Sequence, residues 1–188
     1  MPSSTSTRAT ATSATAATAT ASASTHAPVP LAVDYANTLS ASRGRTSDHL
    51  DSWLAEHGMA PDPRFEPLRD AIRVLIGATA EQAPYPEAAL AVVNAASAAA
   101  PHWLELTGEG VAVARAAGSA SAAERLLAEI ARSAIELLSE DQHANLCACQ
   151  APGCVQFFVR THHRQEFCSA ACGNRARAAR HYQRRKEQ

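Results

Sequence analysis

All five cysteines of this 188-residue chain fall between positions 147 and 172. Two pairs stand out: Cys149-x4-Cys154 and, thirteen residues further on, Cys168-x3-Cys172. Four thiolates at about 2.3 Å satisfy tetrahedral zinc and leave no open position, which is the chemistry of a structural rather than a catalytic site. Pro152-Gly153 permits a tight turn that aims the first two sulfurs at one point. Gly153 also leaves room for backbone amides to approach them. Cys168 and Cys172 are four residues apart, so on a helix opening at Ser169-Ala170-Ala171 they share a face. A helix N-terminus further favours thiolate over thiol. Cys147 and the adjacent His162-His163 lie outside this two-plus-two pattern and remain alternatives for one ligand. Disulfides are the competing use of the cysteines, but five is an odd number and the body of the chain holds none.

The elements that must position the sulfurs are short. Val155, Phe157, Phe158 and Val159 read as a strand or hairpin, with Phe167 closing a miniature core. So small a region depends on the metal for much of its folding energy. Beyond Cys172 the helix continues through Arg175, Arg177, Arg180, Arg184, Arg185 and Lys186, with Ala176, Ala178 and Ala179 keeping it slim. At 100° per residue, Arg177, Arg180 and Arg184 share a face. Such a stripe suits phosphate contacts, and Arg also reads guanine bidentately. Asn174 either contacts a base or makes a structural hydrogen bond, and Arg175 has the same alternative of bracing the cysteine turn. The bland reading of the run is a solvated terminal helix.

Upstream, residues 1–27 are almost entirely Ser, Thr and Ala and are expected to be disordered. Residues 28–145 read as a mainly helical α+β domain with its own core, and 146–188 as a zinc-knuckle, hairpin and helix module. The apolar run Val29–Tyr35 is expected to be a strand or extended chain leading into Asn37-Thr38. Ser47-Asp48 is expected to cap a helix carrying Leu50, Trp53 and Leu54 and stopping at Gly58. Helical spacing marks 63–79 and 86–99. Trp103–Leu106 and Val111–Val113 flank a glycine turn as a β-hairpin. Ser121-x-x-Glu124 is a capping box ahead of a helix reaching about Ser139.

Charge divides along the same line. Residues 1–148 carry nine Arg/Lys against sixteen Asp/Glu, net −7, and residues 149–188 carry eight against two, net +6. An acidic body with a basic end suggests a polyanionic partner. No apolar run approaches a membrane span and no secretory signal opens the chain, so a cytoplasmic protein without a membrane role is expected.

Cys168-Ser-Ala-Ala-Cys172-Gly173-Asn174-Arg175, preceded by Cys149-Gln-Ala-Pro-Gly-Cys154, resembles the CGNR zinc-finger family. Leu31–Thr38 and Asp48–Leu54 are similar to the ABATE domain that accompanies that finger. The resemblance covers nearly everything from residue 29 onward. It implies a stress-induced transcription regulator in which a zinc-dependent module contacts DNA and the upstream domain senses a ligand. The chain departs from the family pattern at Arg160, His162 and Phe167, which alters the surface between the cysteine pairs but none of the ligands. An effector, if bound, is expected near Asp34 and Asn37, and the transcription machinery is a further candidate partner. The rival readings are a protein-interaction adaptor and an RNA-binding module. An enzyme is not expected, because no nucleophile motif, phosphate loop or open metal site is present.

Overall fold

A computed structural model describes residues 29–42, 44–116, 118–139 and 141–186. The Ser/Thr/Ala-rich segment 1–27 lies outside the described residues. Among these residues six α-helices and three antiparallel strand pairs follow in order: α1 Leu31–Ala36, β1 Leu39–Ser42, β2 Arg45–Asp48, α2 Leu50–Glu56, α3 Phe65–Glu81, α4 Glu87–Ala98, β3 His102–Leu106, β4 Ala112–Ala116, α5 Ala122–Ser139, β5 Leu146–Ala148, β6 Phe157–Val159 and α6 Ala170–Lys186. The α+β class is as expected, with β1–β2, β3–β4 and β5–β6 each forming a two-stranded sheet. Among the described residues no helix is long and apolar enough to cross a membrane.

Helix α3 is the axis of the body. Its Phe65, Leu68, Ile72, Leu75 and Ile76 are almost fully buried, and α1, α4 and α5 pack around it. The α5 stripe of Leu127, Ile130, Ala131, Ala134 and Leu137 closes the other side. The capping box is in place: Ser121 N–H donates to Glu124 Oε2 (2.7 Å) and Glu124 N–H to Ser121 Oγ (3.2 Å). These satisfy two amides that a helix start otherwise leaves open. Helix α2 ends as its glycine predicts. Gly58, at φ +70°, donates to Ala55 O, and Met59 donates to Leu54 O, the two bonds of a Schellman close.

Two expectations need correction. The run Val29–Tyr35 is not extended; from Leu31 it forms α1. Ala32, Val33, Tyr35 and Ala36 fall at helical spacing and are all buried, so packing against α3 and α5 overrides the strand propensity of isolated Val and Tyr. Ser47 is also not a cap. It belongs to β2, in a hairpin with β1 that turns at Gly44 (φ +77°). Asp48 is not the cap either: it stands one residue before the N-cap position His49, although its Oδ1 accepts Leu50 N–H at 3.0 Å.

The same Asp48 oxygen receives Arg69 Nη1 at 2.6 Å, and Arg69 is only 2 % exposed. One buried cation on α3 thus ties the first hairpin to the helical body, with Thr38 Oγ1 also in reach. The Tyr35 hydroxyl donates to Phe65 O at the start of α3, and burial pushes this phenol well above its ordinary range.

A candidate zinc centre welded to the body

The first cysteine pair sits on a knuckle between β5 and β6. Cys149 N–H donates to Gln156 O (2.9 Å) and Cys154 N–H to Ala151 O (3.0 Å), closing a turn whose Gly153 takes φ +67°. A positive φ favours glycine there over any residue with a Cβ. The second pair brackets the start of α6. Ser169 Oγ accepts Cys172 N–H at 3.2 Å, so Ser169 caps the helix. Cys168 lies just outside the helix rather than within it, and Cys172 lies in its first turn.

The four Sγ atoms of Cys149, Cys154, Cys168 and Cys172 all lie within 4.8 Å of one another. Three of the separations are 3.5 Å (Cys168–Cys172), 3.8 Å (Cys154–Cys172) and 3.9 Å (Cys154–Cys168). Four sulfurs each about 2.3 Å from one ion stand about 3.8 Å apart in a tetrahedron, so the donor set fits Zn2+ in both type and spacing. Burial raises the thiols of Cys154 and Cys168, and the neighbouring cysteines add to the rise. At Cys172 burial acts the same way, but the bond from Ser169 and those from the other cysteines outweigh it and lower the thiol. A crowd of this kind needs a cation to lose its protons, and zinc supplies it.

Around the sulfurs the CGNR tetrad divides its work. Gly173 lies under the Phe167 ring, where a Cβ would stand 3.4 Å from Phe167 Cδ2, in ordinary contact with it. Asn174 Oδ1 accepts a bond from Arg177. Arg175 turns back towards the metal and places Nη2 3.3 Å from Cys172 Sγ. A cation against a zinc-bound thiolate offsets part of the charge that four thiolates bring. Cys168 N–H adds a second donor, 3.4 Å from Cys149 Sγ. Cys147 stays outside the cluster, on β5 opposite Phe158, and His162 and His163 are exposed.

The sequence does not reveal how firmly this centre is attached to the body. Strands β5 and β6 form a ribbon with two working faces. Leu146 and Phe157 join the main core, with Ala148 and Val159 packed against it. Phe158 joins Cys149 and Cys172 in the metal core, with Cys147 alongside. Alternation along two three-residue strands therefore serves both halves.

Polar groups then lock the seam. Asn37 Nδ2 donates to Phe157 O (2.8 Å) while Phe157 N–H donates to Asn37 Oδ1 (2.9 Å), so one amide side chain pairs with β6 as a neighbouring strand would. Gln156 Nε2 donates to Asn37 O and Leu39 O, both at 3.1 Å. Arg73 bridges Ala36 O (2.6 Å) and Val155 O (2.9 Å), with its guanidinium 5.1 Å from the centre of the Phe157 ring. Burial holds the Arg73 pKa below its usual value, with the nearby Arg69 charge acting the same way. Nothing in the sequence singled out Arg73 or Gln156, because each contributes through carbonyls far along the chain.

Asp34 and Asn37 both line a cleft of about 520 Å³ together with His49, Trp53 and Glu56. Each already has a partner within the protein: Asp34 Oδ2 accepts Trp53 Nε1–H at 2.7 Å, and Asn37 clamps Phe157. The other predicted site residues are spread along α6, where Arg177, Arg180, Arg184, Arg185 and Lys186 are exposed and Arg175 is half-buried.

Residues 29–141 match the family model ABATE, whose description is "Putative stress-induced transcription regulator", and residues 146–185 match the CGNR zinc finger. No curated protein matches the chain.

Proposed function

The chain belongs to the ABATE family and ends in a CGNR zinc finger, and from that premise we propose that it regulates transcription by laying helix α6 on duplex DNA. One observation carries the reading: the helix anchored at Cys172 runs for 17 residues without an acidic side chain and leaves five cations exposed. Zinc fixes where that helix starts, and the ribbon fixes the zinc to the body. Arg177, Arg180 and Arg184, on one face, take phosphate contacts, with Arg185 and Lys186 extending them towards the C-terminus. Tyr182, 68 % exposed on the same helix, is available to pack on a sugar or base. Arg175 is better placed as a brace for Cys172 than as a DNA contact, given its 3.3 Å approach to that sulfur.

Zinc is a scaffold in this scheme, since four thiolates leave no position for substrate. The sensing role falls to the body. An effector in the cleft beside Asp34 and Asn37 would press on the residue that clamps β6, and so on the seating of the finger. A thermal-shift screen of small molecules tests this: a hit abolished by Asn37→Ala supports it, and hits indifferent to both Asn37→Ala and Asp34→Ala remove it.

In vitro selection from random duplexes tests the main reading. It predicts an enriched motif that is lost in a Cys168→Ser/Cys172→Ser variant. Tighter binding of single-stranded RNA than of duplex in a parallel selection, or no enrichment together with capture of an acidic protein, would favour the two rival readings instead.

A further inference from the structure

Between β6 and the third cysteine the chain makes a loop that neither metal-ligand pair accounts for. Its residues Arg160, Thr161, His162, His163 and Arg164 are all exposed. Glu166 is the one acidic residue between Cys149 and Lys186. The loop is not slack. Gln165 Oε1 accepts both Thr161 N–H (3.0 Å) and Thr161 Oγ1–H (3.1 Å), while Gln165 N–H donates to His162 O (3.0 Å). Gln165 Nε2 then donates to Phe167 O at 3.3 Å, and Arg160 N–H to Asn145 O at 2.8 Å. One glutamine thus closes the loop from within, and none of these bonds uses the side chain of Arg160, His162, His163 or Arg164. Among the described residues no ion pair includes either arginine. Residues 1–28 contain no Asp or Glu to pair with them.

The loop also adjoins the working edge of α6. Phe167, at its end, packs over Gly173: a Cβ built there would stand 3.4 Å from Phe167 Cδ2 and 3.6 Å from Arg177 Nη1. Gly173, Arg177, Arg180 and Arg184 follow one edge of the helix. The cation strip of α6 therefore begins where the loop ends. Arg160, Thr161 and Gln165 also share the wall of a cavity of about 890 Å³ with Ser169, Cys172 and Arg175 at the head of α6.

We infer that the loop 160–164 is a second contact to the backbone of duplex DNA, with Arg160 and Arg164 on phosphates flanking the groove that α6 approaches. The inference rests on the reading of α6 as a duplex-binding helix and adds a separate element to it. A single strip of cations leaves a helix free to roll about its own axis. A second set on a neighbouring element removes that freedom, which is how phosphate contacts fix orientation. His162 and His163 add ring N–H donors for phosphate oxygens. Because Gln165 already holds the loop closed, little backbone entropy is lost when it docks. Charge spread over a helix and a loop beside it matches the two-dimensional phosphate surface of a duplex better than the single line of an acidic peptide.

Duplex affinity of the full-length, zinc-loaded protein, followed by anisotropy across a range of salt, tests the inference. Arg160→Gln/Arg164→Gln should make the log–log slope shallower by about 1.8, the counterion release of two phosphate contacts, with zinc content and circular dichroism unchanged. Arg160→Lys/Arg164→Lys keeps both charges and should keep the wild-type slope. Arg45→Gln/Arg115→Gln, an equal loss of charge at exposed positions of the body, should leave the slope unchanged. A slope indifferent to Arg160→Gln/Arg164→Gln but lowered by Arg177→Gln/Arg180→Gln/Arg184→Gln overturns this inference and leaves the reading of α6 standing. Equal shallowing in the body variant overturns it too, because net charge then accounts for the change. Loss of slope in the lysine variant gives the two arginines a structural role instead. An effect seen with single-stranded RNA but not with duplex also overturns it and assigns the loop to RNA. Absence of salt-dependent duplex binding by the wild type overturns both readings together. Should the double variant lose zinc, Arg164→Gln alone decides, with an expected change of about 0.9.

Discussion

Single residues at the seams do more here than their types announce. Asn37 is one amide, yet it satisfies both the N–H and the C=O of Phe157. Asn37→Ala leaves those part-buried groups without it and should lower stability by about 2 kcal/mol in urea unfolding, with one zinc still bound per chain. Loss of the metal along with the stability would make Asn37 part of the metal site rather than of the seam. Asp48 carries a different signature. The hydrogen bond from Arg69 holds its carboxyl below the ordinary 3.8, with burial opposing and the Leu50 amide assisting. A carboxyl lowered on folding contributes stability above its unfolded pKa and loses it as pH falls through the folded value. Asp48 is 47 % exposed, and solvent screening limits the pair to about 1 kcal/mol or less. Asp48→Asn keeps an oxygen for Leu50 N–H, so it should cost that amount near neutral pH and progressively less as pH falls through the lowered folded-state value. A cost that persists unchanged into acid would mean that packing, not charge, is what Asp48 supplies.

At the scale of elements the β5–β6 ribbon is the part that matters most. Phe157 and Phe158 are neighbours in sequence but face different cores, so their truncations should separate. Phe157→Ala should destabilise the helical body by about 3 kcal/mol, losing core contacts and the Arg73 guanidinium over its ring. Phe158→Ala should spare the body and hasten zinc transfer to a competing chelator. Identical effects on both readouts would show that the ribbon does not divide its faces. Part of this was legible beforehand. Paired cysteine spacing reported a zinc centre because few other uses explain four thiolates in that pattern. Helical periodicity located α3, α4 and α5 because each buries one clear stripe. Helix α1 was misread because six residues are too few to display a period, and Val and Tyr lean towards strands until a core covers them. The β1–β2 hairpin escaped because Ser, Thr and Arg give it no apolar alternation. The seam escaped as well, since Arg73 and Gln156 bond to carbonyls rather than to recognisable side chains.

For the whole molecule, the acidic body and the basic finger are continuous through one core, in which Leu146 and Phe157 pack with Tyr35, Phe65 and Ile72. Zinc therefore stabilises more than the finger. Chelation at neutral pH should lower the melting temperature of the body as well as unfold the start of α6, followed by circular dichroism and tryptophan fluorescence. A body transition unmoved by chelation would show the two halves to be independent. If the zinc-fixed helix α6 meets the DNA backbone through one face, as proposed, salt tests that contact most directly. Duplex affinity of the zinc-loaded protein, measured by anisotropy across a range of salt, should fall linearly in log–log form. The Arg177→Gln/Arg180→Gln/Arg184→Gln variant, with its zinc intact, should show a slope shallower by about 2.7, the counterion release of three phosphate contacts. An unchanged slope in that variant, or wild-type affinity indifferent to salt, would contradict the account.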